Sequence, residues 1–275
     1  MMTMEFILLA VTGMIAAIVG SLIGLGGGIV IVPILIFLGT ELSVLDGITP
    51  QVAVGTSSLV LVFIGLSSVI SYNKSKQVDW SNGKYLLFGI IPGAMLGSYT
   101  SSLFTVDSLK LYFGLFIILV SFILLVRGKI KPLKIFQNEK YIKPHTDGAG
   151  KVHYYGFPPY IGVFGSLLAG FAAGLFGVGG GALMTPMMII LFLMPPSIAV
   201  GTSMFLVLFG SLSSAGGHLL QGNIHFLYAV ILIPAAYFGA KLGVKLNRSL
   251  DSNTVVFILR MVLLLLGIYM IIDSL

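Results

Sequence analysis

Long runs of apolar residues, separated by short polar connectors, make up most of this chain. Each half begins with one very long run and continues with three of ordinary length. The runs are continuous, which is typical of membrane-spanning helices and not of the alternating strands of an outer-membrane barrel. The pattern therefore predicts an all-α polytopic membrane protein with eight to ten membrane segments. The runs cover about 5–38, 52–72, 85–104, 111–126, 160–194, 198–220, 226–246 and 254–272.

Both of the very long runs contain three successive glycines. A single helix over residues 5–38 would be about 50 Å long, which exceeds a bilayer core of about 30 Å unless it is strongly tilted. Because glycine is a poor helix former, we predict a helix up to about Ile23, a break, and a second helix from about Ile29. This element would be a helical hairpin or a re-entrant segment. Its non-helical backbone is expected to face the protein interior.

Two motifs occur once in each half. GLGGGIVIVP begins at Gly24 and GVGGGALMTP at Gly177, while AVGTSS begins at Ala53 and AVGTSM at Ala199. We therefore predict two homologous repeats, residues 1–126 and 159–275, joined by a connector over 127–158. The aligned pairs are Gly24 and Gly177, Pro33 and Pro186, Gly55 and Gly201, Thr56 and Thr202, Tyr72 and His218, Pro92 and Pro234, and Gly97 and Gly239.

Composition supports a lipid environment. The chain is 57% hydrophobic and 9% charged, whereas soluble domains carry about a quarter charged residues. It has no cysteine, which excludes disulfides and thiolate metal sites. The net charge of +6 does not indicate nucleic-acid binding, because seven of the fifteen basic residues lie in the 127–158 connector.

The placement of charge predicts a topology. The basic 127–158 connector is expected to be cytoplasmic, and the 73–84 connector falls on the same side. The 39–51 connector has acidic residues but no Lys or Arg, so it is expected outside. In the second half, basic residues at the end of the third segment place the Pro195–Ser197 turn inside, so the two repeats would be inverted. Those residues are Lys241, Lys245 and Arg248.

The duplicated GxGGGxxxxP and AVGTS motifs, with PGAxxG-like segments at Pro92–Gly97 and Pro234–Gly239, resemble the TauE/SafE family, also called the sulfite exporter or TSUP family. The resemblance covers nearly the whole chain. It implies a multi-pass transporter of the plasma (inner) membrane for small sulfur-containing or related organic anions. Sulfite, sulfonates, sulfoacetate and thiosulfate are among the substrates proposed for the family.

The glycine runs and the AVGTS motifs supply a candidate anion site. A helix N-terminus offers free N–H groups and a partial positive charge, and glycine lets the backbone approach an anion closely. The Ser and Thr hydroxyls could add donors. The alternatives are close helix packing for the glycines and bonds to helix carbonyls for the hydroxyls. The candidate substrate-binding residues are Gly26, Gly27, Gly28, Thr56, Ser57, Gly179, Gly180, Gly181, Thr202 and Ser203.

Ionisable residues favour an anion as the substrate. All nine acidic residues lie in connectors or near segment ends, whereas cation and proton pumps usually keep a carboxylate at mid-membrane. His218 is the candidate proton-coupling residue, because imidazole titrates near neutral pH. The alternative is an interfacial histidine at a helix end. We predict no metal, no cofactor and no nucleic-acid partner, and expect a small anion, the bilayer and protons as partners.

The sequence thus predicts a secondary transporter, with export as the expected direction, that works by alternating access around a site at the repeat interface. A passive anion channel is the alternative. An intramembrane hydrolase built on Ser213, Ser214 and His218 would lack a carboxylate to orient its base. A nucleotide-driven pump is disfavoured because GLGGG does not match GxxxxGK[ST].

Overall fold

The computed structural model describes residues 2–42, 44–126, 141–146, 150, 152–247 and 252–274. Within these residues the chain forms helices in the same order in each half. The first half contains α1 (Met2–Ile23), α2 (Gly28–Ile36), α3 (Pro50–Asn73), α4 (Trp80–Ser101) and α5 (Val106–Val126). The second contains α6 (Pro159–Phe176), α7 (Gly181–Ile190), α8 (Pro196–Leu220), α9 (Phe226–Asn247) and α10 (Ser252–Asp273). A π-helical turn, Phe37–Glu41, continues α2.

Six of the described helices are long and apolar enough, by length and composition, to cross a membrane. They are α1, α3, α5, α6, α8 and α9. By contrast, α2 and α7 have 9 and 10 residues, which is about 15 Å of helix and half of a bilayer core. The chain is therefore a multi-pass membrane protein in which each half contains one short, glycine-limited helix.

The helix breaks fall at the glycines. α1 ends at Ile23 and α2 begins at Gly28, so the predicted break is confirmed. The backbone φ angles of Gly24, Gly26 and Gly27 are 84°, 97° and 99°. Side-chain-bearing residues rarely adopt such angles, so glycine is what allows the chain to reverse here. The second break has the same geometry, with φ angles of 66°, 76° and 78° at Gly177, Gly179 and Gly180.

Helices of one half pack on helices of the other. α1 lies along α9 and α4 along α6, while α3 packs on α8 and α5 on α10. Small residues allow this close approach, because a Cβ on α4 would collide with backbone of α6. The colliding pairs are Gly89 with Val163, Gly93 with Leu167 and Gly97 with Phe171. The two halves therefore share one core.

The order of these contacts sets helix direction. Gly93 lies against Leu167 and Gly97 against Phe171, so α4 and α6 are parallel. Likewise Gly239 and Gly243 of α9 lie against Met14 and Ile18 of α1. α8 links the start of α4, through Asp79, to the turn that precedes α9, so α4 and α9 begin at opposite ends of the bundle. α1 and α6 consequently run in opposite directions, the orientation that an inverted repeat predicts.

The connector between the halves contains a short antiparallel hairpin, β1 (Lys143–Thr146) and β2 (Val152–Tyr155), that the sequence analysis did not predict. It lies at the same end of the bundle as the 74–79 loop, because His145 Nε2 donates to the carbonyl of Lys76 (3.1 Å). Tyr155 also donates to Asp79 Oδ2 (2.9 Å). Burial and the neighbouring Asp79 carboxylate raise the pKa of Tyr155, so its hydroxyl stays protonated.

The shared end agrees with the predicted sidedness of the 73–84 and 127–158 connectors, while their side of the membrane stays a prediction. Much of the basic connector (127–140, 147–149 and 151) lies outside the described residues, as does Arg248.

Candidate functional site

The two glycine breaks meet inside the protein. A Cβ added at Gly28 would collide with the carbonyl of Gly177, and one added at Gly181 would lie 2.5 Å from the carbonyl oxygen of Gly24. All six candidate glycines, Gly26–Gly28 and Gly179–Gly181, are buried. The structure therefore brings both glycine runs into one backbone-lined region, built from two segments that are far apart in sequence.

The helices that leave this region have uncapped N-termini. Gly27 and Gly180 occupy the N-cap positions of α2 and α7, and neither position supplies a side-chain hydrogen bond. α3 and α4, in contrast, are capped by Thr49, which accepts from Val52 N (3.2 Å), and by Asp79, which accepts from Asn82 N (3.0 Å). The first N–H groups of a helix lack intrahelical acceptors and carry its partial positive charge. Each of the two contacting breaks therefore contributes one such positive end to the protein interior.

Ser57 and Ser203 contact the breaks, but through carbonyl groups. Ser57 Oγ donates to the carbonyl of Gly177 (3.0 Å), and Ser203 Oγ donates to the carbonyl of Gly24 (2.7 Å). These carbonyls lie where α6 and α1 end, and helix C-termini leave carbonyl groups without helical donors. Both serines are fully buried. Each hydroxyl therefore ties the glycine break of one half to a helix of the other.

Thr56 and Thr202 point to opposite ends of the bundle instead. Thr56 Oγ1 accepts from the N–H of His225, and Thr202 Oγ1 accepts from the N–H of Asp79, both at 2.9 Å. The structure does not bring these two hydroxyls to the glycine breaks. Burial lowers the pKa of His225, whose backbone N–H makes the Thr56 contact.

His218 also joins helices. Its Nε2 donates to the carbonyl of Gly174 in the last turns of α6 (2.9 Å), while its Nδ1 has no hydrogen-bond partner in the part of the chain described. The aligned residue Tyr72 makes the matching bond to the carbonyl of Ser21 in α1 (2.7 Å). His218 is fully buried and lies in the last turn of α8, so the histidine is at a helix end, as the alternative has it, with its side chain packed inside the protein.

The described surroundings of the two glycine breaks are uncharged. The atoms nearest to a Cβ added at each of the six glycines all belong to uncharged residues. Lys241, which lies within an apolar run, is exposed and stands over the ring of Tyr237, 4.7 Å from its centroid. Among the residues described around the six glycines, the groups that could hold an anion are N–H groups, hydroxyls and helix dipoles.

Two polar residues at the breaks were missed by the sequence analysis. Thr185 Oγ1 donates to the carbonyl of Gly24 (2.8 Å), and its place inside the second glycine motif was an available signal. Ser211 Oγ lies 3.1 Å from the Cβ position of Gly179. Nothing in the sequence marked Ser211, because the aligned position in the first half is Gly65.

A multi-pass helical bundle with paired helix breaks at its centre is the architecture of a membrane transporter. The family model described as Sulfite exporter TauE/SafE matches residues 9–270, and the chain belongs to that family. It is a membrane transporter and not an enzyme.

Three relatives illustrate the range of similarity. The "Probable membrane transporter protein YunE" of Bacillus subtilis (strain 168) is 45% identical over 98% of this chain and 99% of that protein. The "Probable membrane transporter protein MJ0441" of Methanocaldococcus jannaschii is 28% identical over 96% of this chain and 94% of its own length. The "Sulfite exporter TauE/SafE family protein 2" of Arabidopsis thaliana is 38% identical over 29% of this chain and 18% of that protein. No solved structure matches the chain.

Proposed function

We propose that this protein is a secondary transporter, working as an exporter, of a small sulfur-containing or organic anion such as sulfite or a sulfonate. The observation that carries the proposal is the pair of helix N-termini without side-chain caps, at Gly27 and Gly180, each buried among uncharged residues where the two glycine breaks contact each other. Backbone N–H groups and helix dipoles stabilise an anion at such a place without a fixed cation. The family description, sulfite exporter, supports the substrate class.

The serine hydroxyls have a defined part in this proposal. The carbonyls of Gly24 and Gly177 lie beside the same breaks, and a bare carbonyl oxygen would repel an anion. Ser203 with Thr185, and Ser57, donate to these oxygens, which reduces that repulsion. Ser57 and Ser203 therefore shape the site through the carbonyls.

Alternating access would rock one half against the other. The halves are tied at one end by the bond between Thr56 and the N–H of His225, and at the other by the bond between Thr202 and the N–H of Asp79. With both bonds made and the glycines buried, the arrangement fits an occluded state. Opening toward either side of the membrane would then break one of these two ties and leave the other intact.

Protons are the proposed coupling ion, and His218 is the residue proposed to carry them. The supporting feature is its buried Nδ1, which is bare while Nε2 donates to Gly174. A proton on Nδ1 would place a positive charge on α8, the helix that also holds Ser203. Such a charge would favour an anion in the adjacent region.

The test is flux in liposomes that contain the purified protein. Labelled sulfite is followed with and without an imposed pH gradient, and thiosulfate, sulfate, sulfoacetate and taurine are added as competitors. We expect saturable sulfite flux that the pH gradient drives above equilibrium. Flux that only follows the sulfite gradient and does not saturate would favour the channel alternative. If no anion is transported and none competes, the proposal is wrong.

A further inference from the structure

Ser211 is a buried hydroxyl that the fold does not use. Its side chain is 0% exposed, and its Oγ has no hydrogen-bond partner among the residues described. Nearby serines of the same helix are engaged, since Ser213 donates to the carbonyl of Ile91 (2.8 Å) and Ser214 pairs with Ser58 (2.9 Å). Leaving a buried hydroxyl unpaired destabilises a protein. The hydrogen-bond partner of Ser211 is therefore expected to be a ligand that binds transiently.

The hydroxyl of Ser211 points into the second glycine break. A Cβ added at Gly179 would lie 3.1 Å from Ser211 Oγ and 3.0 Å from Val207 Cγ1. Gly179 has a φ of 76°, and the helix that follows it begins at Gly181 without a side-chain cap. The free hydroxyl therefore lies beside the glycine segment that leads into the uncapped N-terminus of α7.

Within the described chain, no unpaired hydroxyl of this kind is found at the first break. Ser211 and Gly65 stand at matching distances from the AVGTS glycines, Gly201 and Gly55. A Cβ at Gly65 would lie 2.8 Å from the Cα of Leu208, so no side chain fits there. The polar groups of the two breaks therefore differ even though their backbones match.

We propose that Ser211 donates a hydrogen bond to the transported anion, and that the binding site is centred on the second break, at the N-terminus of α7. The inference rests on the proposed function and assigns the site within it. A hydroxyl both donates and accepts, so Ser211 suits an oxyanion that exists as a charged and a protonated species, as sulfite does. The anion would supply the partner that Ser211 lacks.

The first arm of the test measures flux and stability for Ser211→Ala, with Ser214→Ala as the matched control one turn along. A hydrogen bond to a charged group corresponds to roughly a ten- to hundred-fold change in affinity. We therefore expect Ser211→Ala to raise the KM for the transported anion by about that factor. Its unfolding midpoint without anion should be unchanged or higher, because an unpaired group has been removed. Ser214→Ala should lower the midpoint and leave KM unchanged.

The second arm of the test measures anion binding independently of transport. Because the chain has no cysteine, Ser211→Cys introduces a single thiol at the proposed contact. The label is a maleimide, and because sulfite adds to maleimides and thiosulfate is itself a sulfur nucleophile, the protecting anions are sulfate and sulfoacetate. We expect those anions that compete for flux in the wild type to slow labelling, and those that do not compete to have no effect.

The outcomes separate the two proposals. If the wild type shows saturable anion flux, but Ser211→Ala keeps the wild-type KM and competing anions do not slow labelling, the Ser211 contact is refuted while the proposed function stands. If the wild type transports none of the anions and none protects the thiol, the proposed function and the Ser211 contact are both refuted. A raised KM with an unchanged or higher midpoint, together with protection, supports both.

Discussion

The two glycine breaks have the same backbone geometry but differ in the side chains that surround them. Each break places three glycines at positive φ, starts a short uncapped helix and has its terminal carbonyl bonded by a serine of the other half. The second half adds groups that the first lacks. Thr185 stands where the first half has Val32, Ser211 where it has Gly65, and His218 where it has Tyr72.

This difference suggests a division of labour between the halves. The matched features are those that any helix reversal inside a membrane needs, namely permissive backbone and satisfied carbonyls. Among the unmatched features, two polar groups of the second half keep an atom without a hydrogen-bond partner in the described chain: Ser211 Oγ and His218 Nδ1. Structural requirements would therefore keep the halves alike, while substrate chemistry would make them differ.

The largest expected effect tests what the breaks share. Gly27→Leu and Gly180→Leu should each abolish anion flux in liposomes, because both positions have positive φ and open on the N-terminus of a short helix. Gly27→Leu should also destabilise the protein more. Its Cβ would lie 2.7 Å from the backbone oxygen of Ala16, whereas the Cβ at Gly180 first meets the flexible Cδ1 of Ile90, at 2.9 Å.

Gly216→Leu is the matched control for these two variants, because nothing lies within 4 Å of a Cβ at this position of α8. Chromatographic behaviour in detergent separates loss of transport from loss of folding. Full flux from both break variants would rule out a site at the helix N-termini.

A second comparison concerns the carbonyls. Gly24 has two donors, Ser203 and Thr185, while Ser57 is the donor found for Gly177 in the described chain. Ser57→Ala should lower the free energy of unfolding by about 1–3 kcal/mol, since it leaves a buried carbonyl unpaired, and Ser203→Ala by about 0.5–1.5 kcal/mol. Denaturant unfolding in detergent measures both. Adding Thr185→Val to Ser203→Ala should remove the difference, and equal losses in the single variants would contradict this account.

These contacts show where sequence reasoning succeeds and where it stops. The break between Ile23 and Gly28 was predictable because the conformational cost of glycine is local. The roles of Ser57 and Ser203 were not, because each bonds a carbonyl more than a hundred residues away that only tertiary packing brings near. Thr56 and Thr202 belong to the same AVGTS motifs as these serines, yet they face the ends of the bundle. Neighbouring residues of a helix point in different directions, so adjacent positions of one motif can have different contacts.

A third comparison, between His218 and Tyr72, separates a structural role from proton coupling. Both side chains donate to a carbonyl near the end of a helix, Gly174 or Ser21. His218→Gln retains an N–H donor but cannot titrate near neutral pH. We expect it to lose most of the flux driven by a pH gradient and to keep sulfite exchange at equal pH. If gradient-driven flux is unaffected, His218 only ties α8 to α6.

The smallest expected effect concerns the two ends of the bundle, where the same bond lies in different surroundings. Thr56 Oγ1 accepts from the N–H of His225, which lies in a half-buried turn. Thr202 Oγ1 accepts from the N–H of Asp79, a residue that is only 4% exposed. Water can replace a lost partner only at the first site, so Thr202→Val should cost about 1 kcal/mol and Thr56→Val a few tenths. Unfolding midpoints of the two variants, measured side by side, test this order. Because the lost bond is 2.9 Å in each case, a reversed order would mean that the end near His225 is the more tightly closed of the two.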